Sequence, residues 1–519
     1  QMESERKTWE STWQEISENL LGRRDFQTQY PVGGRQRLEN IYDGTGMQAH
    51  DEFVAMVSSL LTNPATEWFL LATAVPQLME IPSVAAWVQD AQDHLRFVIN
   101  RPGSGFQPQM HEMYNDLIGW GTGGIAVLED PVEGLYFHAH NLQELFLDED
   151  SRGRVNAVFR KTRMTARQVE EKYPGKSGAA ARHMKSKNEN QKIVIVQAIF
   201  PNNEAHLGGI GNFPFASAHI AIDEGAPEKL MESGFYEMPI LTPRWSKDTG
   251  EFYGRSPGVN ALPDGKMANQ MNKSVLKAGQ KAIDPAILIG DRGVLSTVRT
   301  HAGGYTSVRF DGNRRGPIEA LESRAQFQIG LELLESRQRA IEQKYHANIL
   351  EIFRKSNMTA TEIIELAERV DRSLSPVLGR QQEELLNPLV NRAFSIEMRA
   401  GRMPPPPPEL VGQTVIVEYQ SPVARAQKAS EKRALREGVA GALEVASAAP
   451  EVLDNYDLDA IARLDWRLGG LPVEGMRSPE AVAALREQRA QQVAAQQQLE
   501  AGLAIADAES KFNRGGRAA

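Results

Sequence analysis

Leu262-Pro263-Asp264-Gly265-Lys266-Met267-Ala268-Asn269-Gln270-Met271-Asn272-Lys273-Ser274-Val275-Leu276-Lys277-Ala278-Gly279-Gln280-Lys281-Ala282 is the stretch on which the reading of the fold turns. Lys266, Lys273, Lys277 and Lys281 are spaced 7, 4 and 4 residues apart. On a helix that spacing puts all four in one narrow stripe, with Met267, Met271, Val275, Ala278 and Ala282 on the opposite side. Like charges one turn apart repel by a few tenths of a kcal/mol per pair. Nothing in the helix offsets that repulsion, which points to an anionic partner or to acidic neighbours. Periodicity alone favours a plain solvated face.

Outward from this helix, Asp284-Pro285 should end it, because the residue before proline is pushed out of the helical region. Ala286–Gly290, Val294–Arg299 and Thr306–Phe310 are short β-like runs separated by Gly293, Gly303-Gly304 and Gly312. Gly316-Pro317 closes the excursion. From Leu321 to about Ile349 the helical period returns, with Phe327, Leu331, Leu334, Ile341 and Tyr345 as its stripe. Such a helix would be ~42 Å long at ~1.5 Å per residue. The segment 257–353 is therefore expected to be a helix–excursion–helix hairpin.

The chain has 519 residues, 41% of them hydrophobic, enough for two to four domains or subdomains. It contains no cysteine, which excludes disulfides, thiolate metal sites and cysteine nucleophiles. No signal peptide and no long apolar run is evident, so no membrane partner is expected. Gln1 ahead of Met2 reads as a processing remnant. The net charge of −9 is unlike that of a tight nonspecific DNA binder. The charge is uneven: Arg255–Pro317 holds ten Lys/Arg against four Asp/Glu, and residues 318–353 hold four against six.

Residues 3–28 are expected to form a helix, with Trp9, Trp13, Ile16 and Leu20 at helical spacing. Asp51–Leu61, Ser83–Ile99 and Gln107–Trp120 are further expected helices, and Trp68-Phe69 opens a strand. From Gly124 to about Ser246 the period becomes that of strands. The expected strands are Ile125–Leu128, Leu135–His138, Val155–Thr162, Ile193–Phe200, Ala218–Ile222 and Tyr236–Leu241. Thr165 should cap a short helix to Lys172, and Gly175–Gln191 reads as an exposed loop. Thr359-Ala360-Thr361-Glu362 is a capping box. The helix it opens should be kinked by Pro376 and Pro388. Pro404–Pro408 is a stiff spacer. From about Ala424 the chain is helical, with its last few residues expected to be disordered.

No catalytic constellation emerges. Gly175-Lys176-Ser177 has the ending of a phosphate-binding loop, but Glu170 stands where the motif needs glycine. The glycine-rich run Gly119–Gly124 lies between a helix and a strand, the reverse of a dinucleotide fingerprint. His138 and His140 share a strand face without a completing carboxylate, and Asp148-Glu149-Asp150 reads as a solvated turn. No metal and no cofactor is expected.

Tyr253-Gly254-Arg255-Ser256-Pro257, Ala261-Leu262-Pro263-Asp264 with Asn269, Leu276 and Lys277, and Lys281-Ala282-Ile283-Asp284-Pro285 resemble the portal proteins of short-tailed bacteriophages, the head-to-tail connector family. Met358-Thr359-Ala360-Thr361-Glu362, Pro376–Arg380, Glu384-Leu385-Leu386 and Pro388-Leu389 resemble the same family's later helix. The likeness spans roughly residues 10–500. Gly265 and the single Pro285 depart from the pattern, and both bear on the stiffness of the hairpin.

The resemblance implies a mainly helical α+β portal fold, assembled as a ring, usually of twelve subunits, at a capsid vertex. It implies a wing over 1–256 (α-rich 1–125, β-rich 125–250), stem helices over 257–283 and 320–350, and a clip over 284–319. A tunnel loop at 351–358, a wing return helix and polyproline spacer at 359–415, and a helical crown at 420–519 complete it. Lys266, Lys273, Lys277, Lys281, Arg354 and Lys355 become candidates for a DNA channel. Arg292, Arg299, Arg309, Arg314 and Arg315 become candidates for docking. The implied partners are double-stranded DNA, terminase, a tail adaptor, and the major capsid and scaffolding proteins. The implied location is the virion, after assembly in host cytoplasm, and no enzymatic activity is implied. Other readings stay open: an enzyme such as a packaging ATPase or nuclease, against which the absent phosphate loop argues; a helical scaffold or adaptor in virion assembly with no DNA role; and, for the lysines, pairing with Glu332 or Glu335 of a neighbouring subunit.

Overall fold

The structure is a computed structural model. It describes residues 2–22, 26, 41–130, 134–202, 212–223, 227–283, 287–289, 318–320, 327–347, 374–413, 415–419, 422–469, 475–477 and 481–494. The fold is α+β and mainly helical. The chain divides into two compact units. The first comprises 1–69, 95–400 and 419–423, and the second 70–94, 401–418 and 424–519.

In the first unit, α1 (Met2–Ile16) continues into a π turn, Ser17–Leu21. It stops at Gly22, whose φ of 62° is left-handed and whose N–H donates to Ser17 O at 2.8 Å. The helix therefore ends short of residue 28, because the glycine cap competes with continued periodicity. Trp13 and Trp120 bury here: the Trp13 indole donates to Trp120 O at 2.9 Å, and the Tyr253 ring meets the Trp13 ring edge-on at 5.2 Å. The next helix, α2 (Thr45–Leu61), starts six residues before the expected Asp51, where Asp43 Oδ1 accepts from Thr45 N at 2.8 Å. Phe53, Val54, Val57 and Leu61 are buried, as their spacing required. Two further helices, α3 (Pro82–Asn100), which belongs to the second unit up to His94, and α4 (Phe106–Trp120), agree with their patterns to within a residue.

A three-stranded sheet follows in the order β3-β2-β9, from β2 (Ile125–Asp130), β3 (Gly134–Ala139) and β9 (Ile240–Leu241). A five-stranded antiparallel sheet then runs in sequence order. Its strands are β4 (Leu145–Glu149), β5 (Val155–Thr165), β6 (Lys192–Pro201), β7 (Phe215–Ile222) and β8 (Glu228–Phe235). The sequence reading missed β4 and β8, the two edge strands, and placed a longer strand at Tyr236–Leu241. In β8 only Leu230 is buried, so its apolar signal is too weak to read.

Between β5 and β6, α5 (Ala166–Lys172) has the expected cap: Thr165 and Gln168 form a reciprocal capping box. The expected loop over Gly175–Gln191 contains a second helix, α6 (Gly178–Lys185). Its buried face is alanine, Ala179 and Ala180, which leaves the segment polar in composition although it is packed.

In the hairpin, α7 (Pro257–Ile283) is followed by a short antiparallel pair, β10 (Ile287–Ile289) with β11 (Ile318–Ala320), and then by α8 (Phe327–Lys344). Residues 374–381 are helical and pass through a second π turn, Gln382–Leu386, into α9 (Asn387–Arg399). Pro388 has no N–H for residue 384's carbonyl, and the wider turn absorbs that lost bond.

The second unit pairs β1 (Phe69–Thr73) with β12 (Val415–Tyr419). Gln92 Oε1 accepts from Leu71 N at 3.1 Å, and the Trp87 indole donates to Pro404 O at 3.0 Å. Its later helices are α10 (Pro422–Ala448), α11 (Leu458–Leu468) and residues 481–494. Arg436 pairs with Asp465 at 2.9 Å and Arg486 with Asp459 at 2.6 Å.

Candidate nucleic-acid interface

Ser256 and Pro257 set the start of α7. Ser256 Oγ accepts from Val259 N at 3.0 Å and donates to Gly119 O at 2.8 Å, while Pro257 occupies the first helical position, where an N–H is not needed. The helix base is buried along Ala261, Leu262, Gly265, Ala268 and Asn269. Asn269 is the main polar fastener. Its Oδ1 accepts from Tyr42 N (2.9 Å) and Asp43 N (3.0 Å), and its Nδ2 donates to Asn19 O (2.8 Å). Asp43 in turn accepts from Gln338 of α8 at 2.7 Å, and Asp264 pairs with Arg337 at 3.0 Å. The two hairpin helices are thus tied to each other and to the segment around residue 42.

Gly265, a weak helix former on sequence grounds, is explained by packing. A Cβ there would lie 2.5 Å from Leu20 Cδ2, and Leu20 is buried. Gly46 approaches the same side chain from α2, where a Cβ would lie 2.7 Å away. Alanine has a helix propensity about 1 kcal/mol better than glycine, yet overpacking costs about 1–3 kcal/mol. Gly265→Ala is therefore expected to lower the denaturant midpoint. The same substitution made on a Leu20→Ala background should raise it. A midpoint raised by Gly265→Ala in the unaltered chain would refute this packing account.

The four lysines of α7 do not share one environment. Lys266 pairs with Glu15 at 2.8 Å, and Lys273 Nζ sits 4.9 Å from the Tyr42 ring centroid. Lys277 and Lys281 are exposed, and neither makes an ion pair among the described residues. The side opposite the lysines is not uniformly buried either: Met267, one of its expected apolar members, is exposed. On α8 the expected stripe holds at the C-terminal end. There Leu334, Ile341 and Tyr345 are buried, and the rings of Tyr345 and His346 meet Phe53. At the other end Ile329 is 52% and Leu331 48% exposed, as are Leu276 (51%) and Ile283 (86%) on α7. The half of the hairpin nearer β10 and β11 thus presents apolar side chains that its own protomer does not cover. Arg354, Lys355, Arg292, Arg299, Arg309, Arg314 and Arg315 lie outside the described residues.

The motifs considered for chemistry have structural roles. Ser177 Oγ caps α6 through Ala180 N at 3.1 Å, and the Glu228 carboxylate accepts from Ser177 Oγ and Ala179 N. A carboxylate thus occupies the amides that a phosphate would need. The His138 and His140 rings lie 4.8 Å apart. Burial, then the neighbouring Arg160 and His138, pushes His140 down to about 2, so it is neutral at ordinary pH. Among the described residues no group of three or more His, Asp or Glu is placed to hold a metal. No described helix is long and apolar enough to cross a membrane. Asp150 Oδ1 caps its own turn, accepting from Arg152 N and Arg154 N.

Glu149, from the same acidic run, belongs to a network the sequence did not disclose. Arg244 is buried, and its guanidinium takes Glu149 on one side and Glu384 on the other, the latter through Nε (3.1 Å) and Nη2 (2.7 Å). Lys247 reaches Glu149 at 2.7 Å and Arg380 reaches Glu384 at 3.1 Å. The network joins the end of β4, the strap before α7 and the π turn of the return helix. Glu384 belongs to the Glu384-Leu385-Leu386 run that carries the family likeness, which was the available signal, but its partner is 140 residues away.

The described residues thus form a helical hairpin braced on a mixed α/β body, with the polar clusters named above engaged in bracing. The family model for the bacteriophage head to tail connecting protein matches residues 1–476, and the chain belongs to that family. It is 31% identical over 511 residues to the probable portal protein of Bordetella phage BPP-1, covering 96% of this chain and 91% of that one. It is 29% identical over 518 residues to the portal protein of Salmonella phage epsilon15, covering 98% and 92%. A chain from the neck of an empty gene transfer agent particle aligns over 80% of this chain and 92% of its own, at 11% identity and a TM-score of 0.38.

Proposed function

We propose that the chain is the portal subunit of a phage capsid vertex, a structural ring through which DNA is packaged and ejected. The match of the connector family over residues 1–476 carries this reading. The uncovered apolar half of the hairpin supports it, because a ring supplies a neighbouring copy to cover those side chains. The wing corresponds to 1–256 together with the return helix and spacer at 359–415. The stem corresponds to 257–283 and 320–350, the clip to 284–319, the tunnel loop to 351–358 and the crown to 420–519. Terminase and a tail adaptor dock on the clip, through the arginines from Arg292 to Arg315. Capsid and scaffolding proteins surround the wing, and assembly takes place in the host cytoplasm. The chain performs no catalytic step. A large homo-oligomer with a central hole, twelve-fold in the family's usual form, is the expected result in axial images and native mass. Monomers alone at every concentration and salt would refute it.

The lysine stripe divides in this reading. The Glu15 and Tyr42 contacts give Lys266 and Lys273 a bracing role, which favours the non-DNA alternative for those two. Lys277 and Lys281 remain as channel cations. A conduit needs few of them, since many fixed phosphate contacts would hold DNA too tightly to slide. Substituting Lys277 and Lys281 with Gln is expected to reduce the amount of DNA packaged per particle while ring formation persists. Unchanged packaging would remove the stripe from contact with DNA and leave the scaffold reading for this helix.

A further inference from the structure

The five-stranded sheet carries a cationic surface that the channel does not require. Along one face, α5 and α6 bury Ala166, Val169, Tyr173, Ala179 and Ala180 against Ile193, Ile195, Ala221 and Leu230. With those positions turned to the sheet, the remaining faces of both helices turn outward. Between Arg163 and Lys192 the chain holds eight Lys/Arg against three Asp/Glu, within a molecule of net charge −9. Arg167, Lys176, Arg182, Lys185 and Lys187 are all exposed.

The acids nearby are largely engaged. Glu170 accepts from Gly175 N at 2.9 Å, Asp223 from the His183 ring at 3.1 Å, and Glu228 from Ser177 and Ala179. Arg182 meets Asp223 and Glu228 only at 3.7 and 4.0 Å and stays mostly in solvent. Within residues 163–192 Glu171 and Glu189 are the remaining exposed acids, and on β8 the exposed Glu232 pairs with Lys229.

The two helices themselves are poor in the groups that protein interfaces use. No large hydrophobic side chain of α5 or α6 is exposed, and the exposed Ile222 and Met231 lie on the neighbouring strands β7 and β8. Protein partners usually need an apolar or aromatic centre with charges confined to the rim. A phosphate backbone needs only cations and polar donors, and reads no side-chain pockets.

We propose that the outward face of α5 and α6 is a second DNA-contacting surface, binding the phosphate backbone of duplex DNA without sequence preference, outside any channel formed by the hairpin. The choice of duplex DNA among polyanions rests on the portal reading. The cationic face itself does not.

The test measures the full-length chain against a fluorescent 30-base-pair duplex by anisotropy, across a sodium chloride series. Each phosphate contact contributes about −0.9 to the slope of log K against log salt. A variant with Arg167→Gln, Lys176→Gln, Lys185→Gln and Lys187→Gln is expected to flatten the slope by about 3–4. It should bind at least tenfold more weakly at the lowest salt. Lys176→Arg, Lys185→Arg and Lys187→Arg together should keep the slope. Lys277→Gln with Lys281→Gln serves as the hairpin comparison. An unchanged slope in the fourfold Gln variant overturns the proposal, and so does a slope lost only in the hairpin variant. Displacement of the duplex by polyglutamate at equal charge concentration also overturns it, by making an acidic protein the better partner. None of these readouts depends on ring assembly or packaging. A failed portal reading would instead show as absent rings with lobe binding intact.

Discussion

Replacing Glu384 with Ala should destabilise the first unit by about 3 kcal/mol, the cost of taking one of two carboxylates from a buried guanidinium. Arg244 is only 1% exposed, so water cannot replace the lost carboxylate. Glu384 satisfies the Arg244 backbone N–H at 2.9 Å as well as Nε and Nη2; the first two lose their acceptor together, while Nη2 keeps Gly153 O at 3.0 Å. Glu149 remains on Nη1 but is shared with Lys247. Glu384→Gln keeps one carbonyl acceptor and should cost roughly half as much as the alanine change. Glu149→Gln combined with Glu384→Gln should cost more than the sum of the two, because each carboxylate limits the damage from losing the other. Since a chain of two compact units need not unfold in one step, the measurement is hydrogen exchange at residues 244–247 and 380–390. Protection that survives Glu384→Ala would show that the network is not a brace.

The second large effect concerns assembly. Ile329→Glu with Leu331→Glu should abolish rings while leaving the protomer folded. Both side chains are about half exposed in the isolated chain, so the charge meets water before assembly. Covered by a neighbour, each would contribute about 1 kcal/mol or more of apolar burial, and a buried unpaired carboxylate costs several times that. A closed ring repeats the loss at every interface. Native mass and axial images should show monomers where the unaltered chain gives rings, with an unchanged far-ultraviolet spectrum. Persistent rings would move the subunit contact elsewhere.

What could be read before the structure follows from periodicity. Burial is one-sided in α2 and α4, and their apolar spacing states it to within a few residues. The hairpin was legible for the same reason: the lysine spacing and the α8 stripe each report a local backbone state. The edge strands β4 and β8 were not legible, because an edge strand buries too little to alternate clearly. The helix α6 was hidden because alanine fills its buried face. The candidate interface was half legible: charge spacing identified the stripe, and only the fold separates Lys277 and Lys281 from the braced Lys266 and Lys273.

By itself, the sequence determined the mainly helical α+β class, the family and the helix–excursion–helix order, since each depends on neighbours a few residues apart or on motif order. The tertiary structure decided what Gly265 is for, where Glu384 finds Arg244, and that ordinary surface residues of α5 and α6 gather into one cationic face. Those depend on residues far apart in the chain, and through-space distance is the quantity that no local pattern encodes.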